Sequence, residues 1–160
     1  MNELRDTGQG ISLSGTWKVL AAEEATRRRV GDTSLDDSDW IDVEVPGLWR
    51  SHDVLANTDS VLYRRRFELG ELAEGNRRWL AIDGLCYQGD VWFDGAYLGD
   101  TEGYFVEHNF EVTQATKLPG QHLLAIEANC ETPSDRTEKR NITGVLQHSD
   151  SLDQDLNPGG

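Results

Sequence analysis

The side chains in this sequence that could do chemistry are mainly carboxylates. Aspartate and glutamate together number 29, and Asp150, Asp153 and Asp155 lie in the C-terminal stretch QHSDSLDQDLNPGG. Paired carboxylates can act as general acid and base, and single ones can accept hydrogen bonds or bind hard cations. Because acidic residues are so abundant, their proximity in sequence identifies no catalytic pair. By composition alone, QHSDSLDQDLNPGG is typical of a solvated acidic tail.

The sequence lacks the motifs of several other chemistries. It has no G-x-S-x-G nucleophile motif, no phosphate-binding loop and no H-x-x-x-H metal pair, and its four histidines are far apart. A Ca²⁺ site needs about six oxygen ligands, and no EF-hand-like glycine turn accompanies Asp150, Asp153 and Asp155. We therefore expect no cofactor, with Na⁺ or Ca²⁺ near Asp155 as the open alternative.

The charge of the chain excludes two classes of partner. The formal net charge of −14 repels nucleic acid backbones and anionic lipid headgroups. Neither a secretory signal nor an apolar run long enough to span a bilayer is present, so we expect a cytoplasmic protein. Two cysteines are too few for a disulfide framework and lack the spacing of a zinc site.

Alternation of apolar and polar residues predicts an all-β protein. The period of two appears at residues 14–22, 40–47 and 61–69, and the most apolar segments, residues 78–85 and 122–129, are typical of central strands. Asp94-Gly95 between alternating segments predicts a two-residue hairpin over residues 90–99. Short helices are expected only at residues 33–39 and 50–56. The pattern favours a β-sandwich or jelly roll.

Tryptophans and arginines occur in or beside the predicted strands. Most of the five tryptophans are expected in the core, with one or two as platforms for sugar stacking. In YRRRF, residues 63–67, the arginines should alternate between the faces of one strand, with Arg65 among apolar neighbours. A guanidinium there could hold a carboxylate within the sandwich or between domains, or it could simply face solvent.

Six phrases in order resemble the N-terminal jelly-roll domain of glycoside hydrolase family 2, the family of β-galactosidases, β-glucuronidases and β-mannosidases. The resemblance covers about residues 13–160. The phrases are LSGTWKV, DWIDVEVPGLW, VLYRRRF, LAIDGLCYQGDVWFDGAYLGDTEGYFVEHNFEVT, HLLAIEAN and DQDLNPGG. The resemblance implies an all-β, galactose-binding-domain-like jelly-roll β-sandwich that lacks its last strand.

The same resemblance implies a domain organisation. Residues 1–12 would be a flexible N-terminus and residues 13–160 the jelly-roll sugar-binding domain, with the immunoglobulin-like domain and the catalytic barrel absent. Retaining hydrolysis needs two carboxyl groups about 5 to 5.5 Å apart. In the family both belong to the barrel, which needs roughly 200 or more residues. This chain would therefore contain no catalytic residues.

The resemblance also implies sugar-contacting residues. The first domain of the family lends a loop to the sugar pocket, and Asp155 matches its sugar-contacting and sometimes cation-binding aspartate. Asp150 is the second candidate, because some members carry an acidic residue nearer that position. Asn57, in the loop before VLYRRRF, is the third, although its spacing to Tyr63 differs by about one residue from that in members with an asparagine there.

Three functions follow as hypotheses. The chain is an accessory domain of a larger glycosidase, with carbohydrate and the remaining domains of its parent as partners. Alternatively, it is a stand-alone carbohydrate-binding module with exposed aromatics such as Tyr87 or Tyr104, or a purely structural sandwich. An absent closing strand would leave an unpaired strand edge, through which the chain could self-associate.

Overall fold

The structure is a computed structural model that describes residues 2–6, 10–103 and 105–130, the first range by its backbone alone. These residues form an antiparallel β-sandwich, with strand order β2-β1-β6-β9 in the small sheet and β4-β3-β5-β10-β7-β8 in the large sheet. The strands are β1 (Asn2–Asp6), β2 (Ile11–Ser12), β3 (Gly15–Ala21), β4 (Ile41–Val45), β5 (Ser60–Leu69), β6 (Arg78–Ile82), β7 (Gln88–Phe93), β8 (Ala96–Glu102), β9 (His108–Glu111) and β10 (Gly120–Asn129).

The predicted all-β sandwich is confirmed, since the described residues contain a single α-helix, α1 (Glu24–Arg27), and two 3₁₀ turns of three residues each. The two apolar segments do form central strands: β10 pairs with both β5 and β7, and β6 pairs with both β1 and β9. The expectation that the sandwich lacks its last strand stays a prediction, because the chain beyond Cys130 lies outside the described residues.

The N-terminus differs from the expectation of a flexible segment over residues 1–12. Asn2–Asp6 forms β1, which pairs along its whole length with β6, and Ile11–Ser12 forms β2. The physical reason is that β1 is held by backbone hydrogen bonds to a strand more than 70 residues away in sequence, which no local pattern encodes.

The predicted hairpin is confirmed. β7 and β8 pair around Asp94-Gly95, whose φ values are +48° and +86°, as a type I′ turn requires. The Asp94 carboxylate accepts the backbone N–H of Leu123 at 2.8 Å and lies 2.6 Å from Nδ1 of His122. The turn is thereby anchored to β10.

The main core lies between the two sheets. Trp17, Tyr63, Phe93 and Ile126 from the large sheet pack with Leu80 from the small sheet, and each is at most 7% exposed. The register places Val61 and Tyr63 on the inner face of β5, as the alternation predicted. Trp17, Trp40 and Trp49 are all buried, so the prediction of mostly core tryptophans is confirmed.

The outer face of the large sheet carries a second, smaller core. Residues 22–40 cross part of this face and bury Val30 and Trp40 against Leu62 and Ala125. The prediction of a helix at residues 33–39 is wrong, because these residues form turns and α1 lies earlier, at Glu24–Arg27, where no helix was expected. The predicted helix at residues 50–56 is confirmed as two 3₁₀ turns, Trp49–Ser51 and Asp53–Leu55.

Arginine side chains connect this covering segment to β5. Arg64 is 0% exposed, and its guanidinium donates to the carbonyl oxygens of Asp32 and Leu35 at 2.7 and 3.0 Å. Arg66 donates to the Asp37 carboxylate at 2.6 Å, and Nε of Arg64 lies 3.4 Å from the same carboxylate. A guanidinium does therefore hold a carboxylate within the sandwich.

Across the range of the chain that the structure describes, the helices are all too short, and too poor in apolar residues, to cross a membrane.

Candidate functional site

The loop between β4 and β5, residues 46–59, is held against the core by its aromatic and aliphatic side chains. Trp49 and Leu55, one from each 3₁₀ turn, are 4% and 3% exposed. The indole N–H of Trp49 donates to the carbonyl oxygen of Thr58 at 3.0 Å, which ties the two ends of the loop together. Asn57 therefore lies exposed in a turn of an anchored loop.

Arg50 joins this loop to the end of β10. Its Nη2 donates to the carbonyl oxygen of Cys130 at 2.7 Å and to the Asp59 carboxylate at 3.1 Å. The backbone N–H of Cys130 donates to the carbonyl oxygen of Asp59 at 2.8 Å. The guanidinium also lies over the Trp49 ring, 5.7 Å from its centroid. The chain therefore enters residues 131–160 directly beside the loop that carries Asn57.

A small apolar cavity lies beneath the loop. Its volume of about 70 Å³ is well below the roughly 300 to 1,000 Å³ of typical small-molecule sites, so it cannot enclose a sugar ring. Burial raises the pKa of the Tyr63 phenol, which faces this cavity and therefore stays protonated. The lining residues include Trp17, Trp49, Tyr63, Leu85 and Cys86.

The sequence-predicted site residues are only partly placed. Asn57 lies in the anchored loop, whereas Asp150 and Asp155 lie outside the described residues, as does the alternative cation near Asp155. In the part of the chain that is described, no group of three or more His, Cys, Asp or Glu side chains could hold a metal ion. The sugar-contacting roles of Asn57, Asp150 and Asp155 thus stay predictions.

Sequence reasoning missed Arg50. Arg50 directly follows DWIDVEVPGLW, residues 39–49, one of the phrases that carry the family resemblance. Its partners, Asp59 and Cys130, are 9 and 80 residues away in sequence. A lone arginine beside a tryptophan offers no signal for such a contact. Arg65, in contrast, was expected among apolar neighbours: it lies over the Trp17 ring, 5.9 Å from the centroid, and donates to the carbonyl oxygen of Leu13 at 2.8 Å.

The fold is an antiparallel sandwich whose β4–β5 loop, residues 46–59, is anchored to the end of β10. The family model for the glycosyl hydrolase 2 galactose-binding domain-like family matches residues 50–155, a range that includes Asn57, Asp150 and Asp155. Since this range is more than half of the chain, the chain belongs to that family.

Two curated relatives illustrate the match. β-Mannosidase B of Aspergillus flavus is 34% identical over 74 residues, which cover 46% of this chain and 9% of the relative. A β-glucuronidase of Formosa agariphila is 19% identical over 126 residues, which cover 71% of this chain and 12% of the relative. The chain therefore spans about a tenth of the length of the curated relatives it matches.

Solved structures show the same fold. β-Glucuronidase of Bifidobacterium dentium, complexed with coumarin-3-O-glucuronide, superposes with a TM-score of 0.65 and 26% identity, covering 79% of this chain and 20% of that one. A family 2 β-glucuronidase superposes with a TM-score of 0.66 and 17% identity, covering 84% of this chain and 14% of that one. The second comparison supports the fold alone.

Proposed function

We propose that this chain is the N-terminal accessory domain of a family 2 β-glycosidase. In this proposal it supports the catalytic barrel, lends a loop to the sugar pocket and does not hydrolyse glycosides alone. Its partners are carbohydrate and the other domains of the parent enzyme. The family membership and the relatives named as β-mannosidases and β-glucuronidases support this function.

One observation supports a sugar-contacting role for the end of the sandwich where the β4–β5 loop meets β10. Arg50 holds the Asn57 loop to the carbonyl oxygen of Cys130, the last described residue before the segment that carries Asp150 and Asp155. A rigid scaffold positions polar groups for a ligand better than a free loop does. In the proposal, Asp155 accepts hydrogen bonds from sugar hydroxyls, and Asp150 and Asn57 contribute further contacts.

The test restores an incomplete enzyme. The parent glycosidase without its first domain is assayed on nitrophenyl β-glycosides before and after addition of this chain. We expect hydrolysis only after addition, because neither part contains the complete sugar pocket. Asp155→Ala should lower kcat/KM about tenfold, the loss of one charged hydrogen bond to substrate. Asp153→Ala, a carboxylate two residues away, is the matched control and should restore activity like the unaltered chain.

Two outcomes would contradict the proposal. If addition restores no hydrolysis while the isolated chain binds a neutral sugar, the chain is a stand-alone carbohydrate-binding module. If Asp153→Ala and Asp155→Ala lower kcat/KM equally, the assignment of Asp155 is wrong even though the accessory role stands.

A further inference from the structure

The outer face of the large sheet is divided into two halves. In the covered half, residues 22–40 pack on the outward side chains of β3 and β5. The open half consists of the outward side chains of β7 and β8 with Glu127 and Asn129 of β10. It contains two adjoining hollows of about 490 and 210 Å³, both lined by Asp90 and Glu127. The larger hollow is in the range of small-molecule sites, about 300 to 1,000 Å³, and the smaller one extends it along β7 and β8.

The strand register arranges the open half in rows. Glu127 pairs with Asp90, which pairs with Asp100, so three carboxylates cross β10, β7 and β8. The adjacent row contains Trp92 paired with Tyr97. Because paired residues of antiparallel strands point to the same face, a row of hydrogen-bond acceptors runs beside a row of aromatic rings.

The aromatic row is held in place before any ligand arrives. Tyr97 is 55% exposed, and its ring centroid lies 5.6 Å from that of Trp92. The Tyr97 hydroxyl donates to the Asp90 carboxylate at 2.7 Å, a hydrogen bond that raises the pKa of Tyr97 to about 12. A Cβ on Gly31 would lie 3.1 Å from the Trp92 ring, so this glycine lets the covering segment pack directly on the indole.

Charge limits the ligands that this groove can accept. The two hollows are lined by two arginines, Arg27 and Arg28, and by five carboxylates. Arg27 is already paired with Glu127 at 2.8 Å, and Arg28 with Glu24 at 2.7 Å. The excess of negative charge disfavours anionic ligands, and the many acceptors favour a ligand rich in hydroxyl donors. The five carboxylates are Asp32, Asp90, Asp100, Glu102 and Glu127.

We propose that the open half is a binding groove for a neutral oligosaccharide. The exposed ring of Tyr97, braced by Trp92, stacks on the apolar face of a pyranose, and the row of Glu127, Asp90 and Asp100 accepts hydrogen bonds from its hydroxyls. The rigid aromatic pair lowers the ordering cost of binding. None of the residues that line the two hollows belongs to the β4–β5 loop that carries Asn57, and the inference does not depend on the proposed glycosidase role.

The experiment is an amide NMR titration of the 160-residue chain with cellotriose and β-1,4-mannotriose as probes. We expect shift changes at Asp90, Tyr97 and Glu127 and at the Trp92 indole. Tyr97→Ala should weaken binding about two- to tenfold, since an aromatic contact contributes about 0.5 to 1.5 kcal/mol. Phe105→Ala is the matched control, because Phe105 is also an exposed aromatic residue, 76% against 55% for Tyr97, but follows β8 and lies outside the paired rows of β7 and β8.

Three results with the neutral trisaccharides and the two variants would overturn the proposal. They are no shift change with either trisaccharide, shift changes confined to residues 46–59, and equal weakening by Tyr97→Ala and Phe105→Ala. The titration is repeated with two charged trisaccharides, the anionic one of galacturonic acid and the cationic one of glucosamine. Binding of either charged sugar in preference to the neutral ones would also overturn it, since the groove would then be selecting charge.

Discussion

The inner and outer faces of the large sheet bury side chains in different ways. On the inner face, Trp17 and Ile126 are surrounded by apolar side chains of the opposite sheet and the β4–β5 loop. On the outer face, residues 22–40 cover Arg64, supply two carbonyl oxygens that accept hydrogen bonds from its guanidinium, and place the Asp37 carboxylate 3.4 Å from its Nε. The inner face therefore depends on volume and shape, whereas the covered outer face depends on particular partners.

The largest expected effect tests the inner face. Trp17→Ala should lower the free energy of unfolding by about 4 kcal/mol, because it removes a buried aromatic side chain and leaves a cavity. The indole N–H also donates to the carbonyl oxygen of Leu13, which would lose this partner. Urea denaturation followed by fluorescence measures the change. Tyr97→Ala, on the open half of the outer face, is the control and should leave the midpoint nearly unchanged; similar losses for both would contradict the division.

The next effect tests the covered half of the outer face. Asp37→Ala should lower the free energy of unfolding by about 3 kcal/mol, since it removes the hydrogen-bonded partner of Arg66 and leaves Arg64 buried without a carboxylate beside it. Asp36→Ala is a matched control, because Asp36 is its exposed neighbour and accepts local hydrogen bonds from the backbone and side chain of Ser38. Equal urea midpoints for the two variants would show that burial of Arg64 does not require the ion pair.

A smaller effect is expected where the β4–β5 loop meets β10. Arg50→Ala removes the hydrogen bonds to Cys130 and Asp59 and should cost about 2 kcal/mol. Hydrogen exchange should become faster for the Asn57 loop but not for residues 22–40. Arg28→Ala, which breaks an exposed ion pair within one helical turn, is the control. Uniformly faster exchange in both regions would mean that Arg50 supports the whole sandwich rather than the loop.

The sequence predicted the elements that depend on local pattern. Alternation identified β5, a continuous apolar segment identified β10, and Asp94-Gly95 identified the hairpin, because all three signals lie within a few consecutive residues. It could not predict β1, whose partner β6 is remote, or α1, whose four residues have no apolar periodicity. Elements held by distant backbone partners leave little trace in local sequence.

The same distinction applies to the candidate site. The resemblance indicated the loop of Asn57, and the structure adds that Arg50 anchors it to a residue 80 positions away. YRRRF predicted that an arginine could hold a carboxylate, but Asp37 could not be identified as the partner, since it is 27 residues before Arg64 and surrounded by other acids. Choosing among 29 acidic residues requires the three-dimensional path of residues 22–40.

The smallest expected effect is on the pH dependence of stability, and it comes from two carboxylates on the outer face whose pKa values are shifted in opposite directions. Hydrogen bonds from the side chain and backbone of Ser34 lower the pKa of Asp32 to about 2, so its contribution to stability is lost as pH falls from about 3.8 through that value. Burial raises the pKa of Glu127 above its ordinary value of 4.5, despite the opposing charge of Arg27 and with a further rise from Asp90. The contribution of Glu127 is therefore present below pH 4.5 and is lost as pH rises through its raised pKa.

These opposite signs give a test with paired variants. Asp32→Asn should flatten the loss of stability on the acid side, and Glu127→Gln should flatten the decline that begins above about pH 4.5. Urea midpoints measured from about pH 2 to about pH 7 distinguish the two, because each variant should differ from the unaltered chain in slope only within its own pH window. A change of slope in the same window for both would mean that the two carboxylates titrate as one coupled group, so that the covered and open halves are electrostatically a single surface.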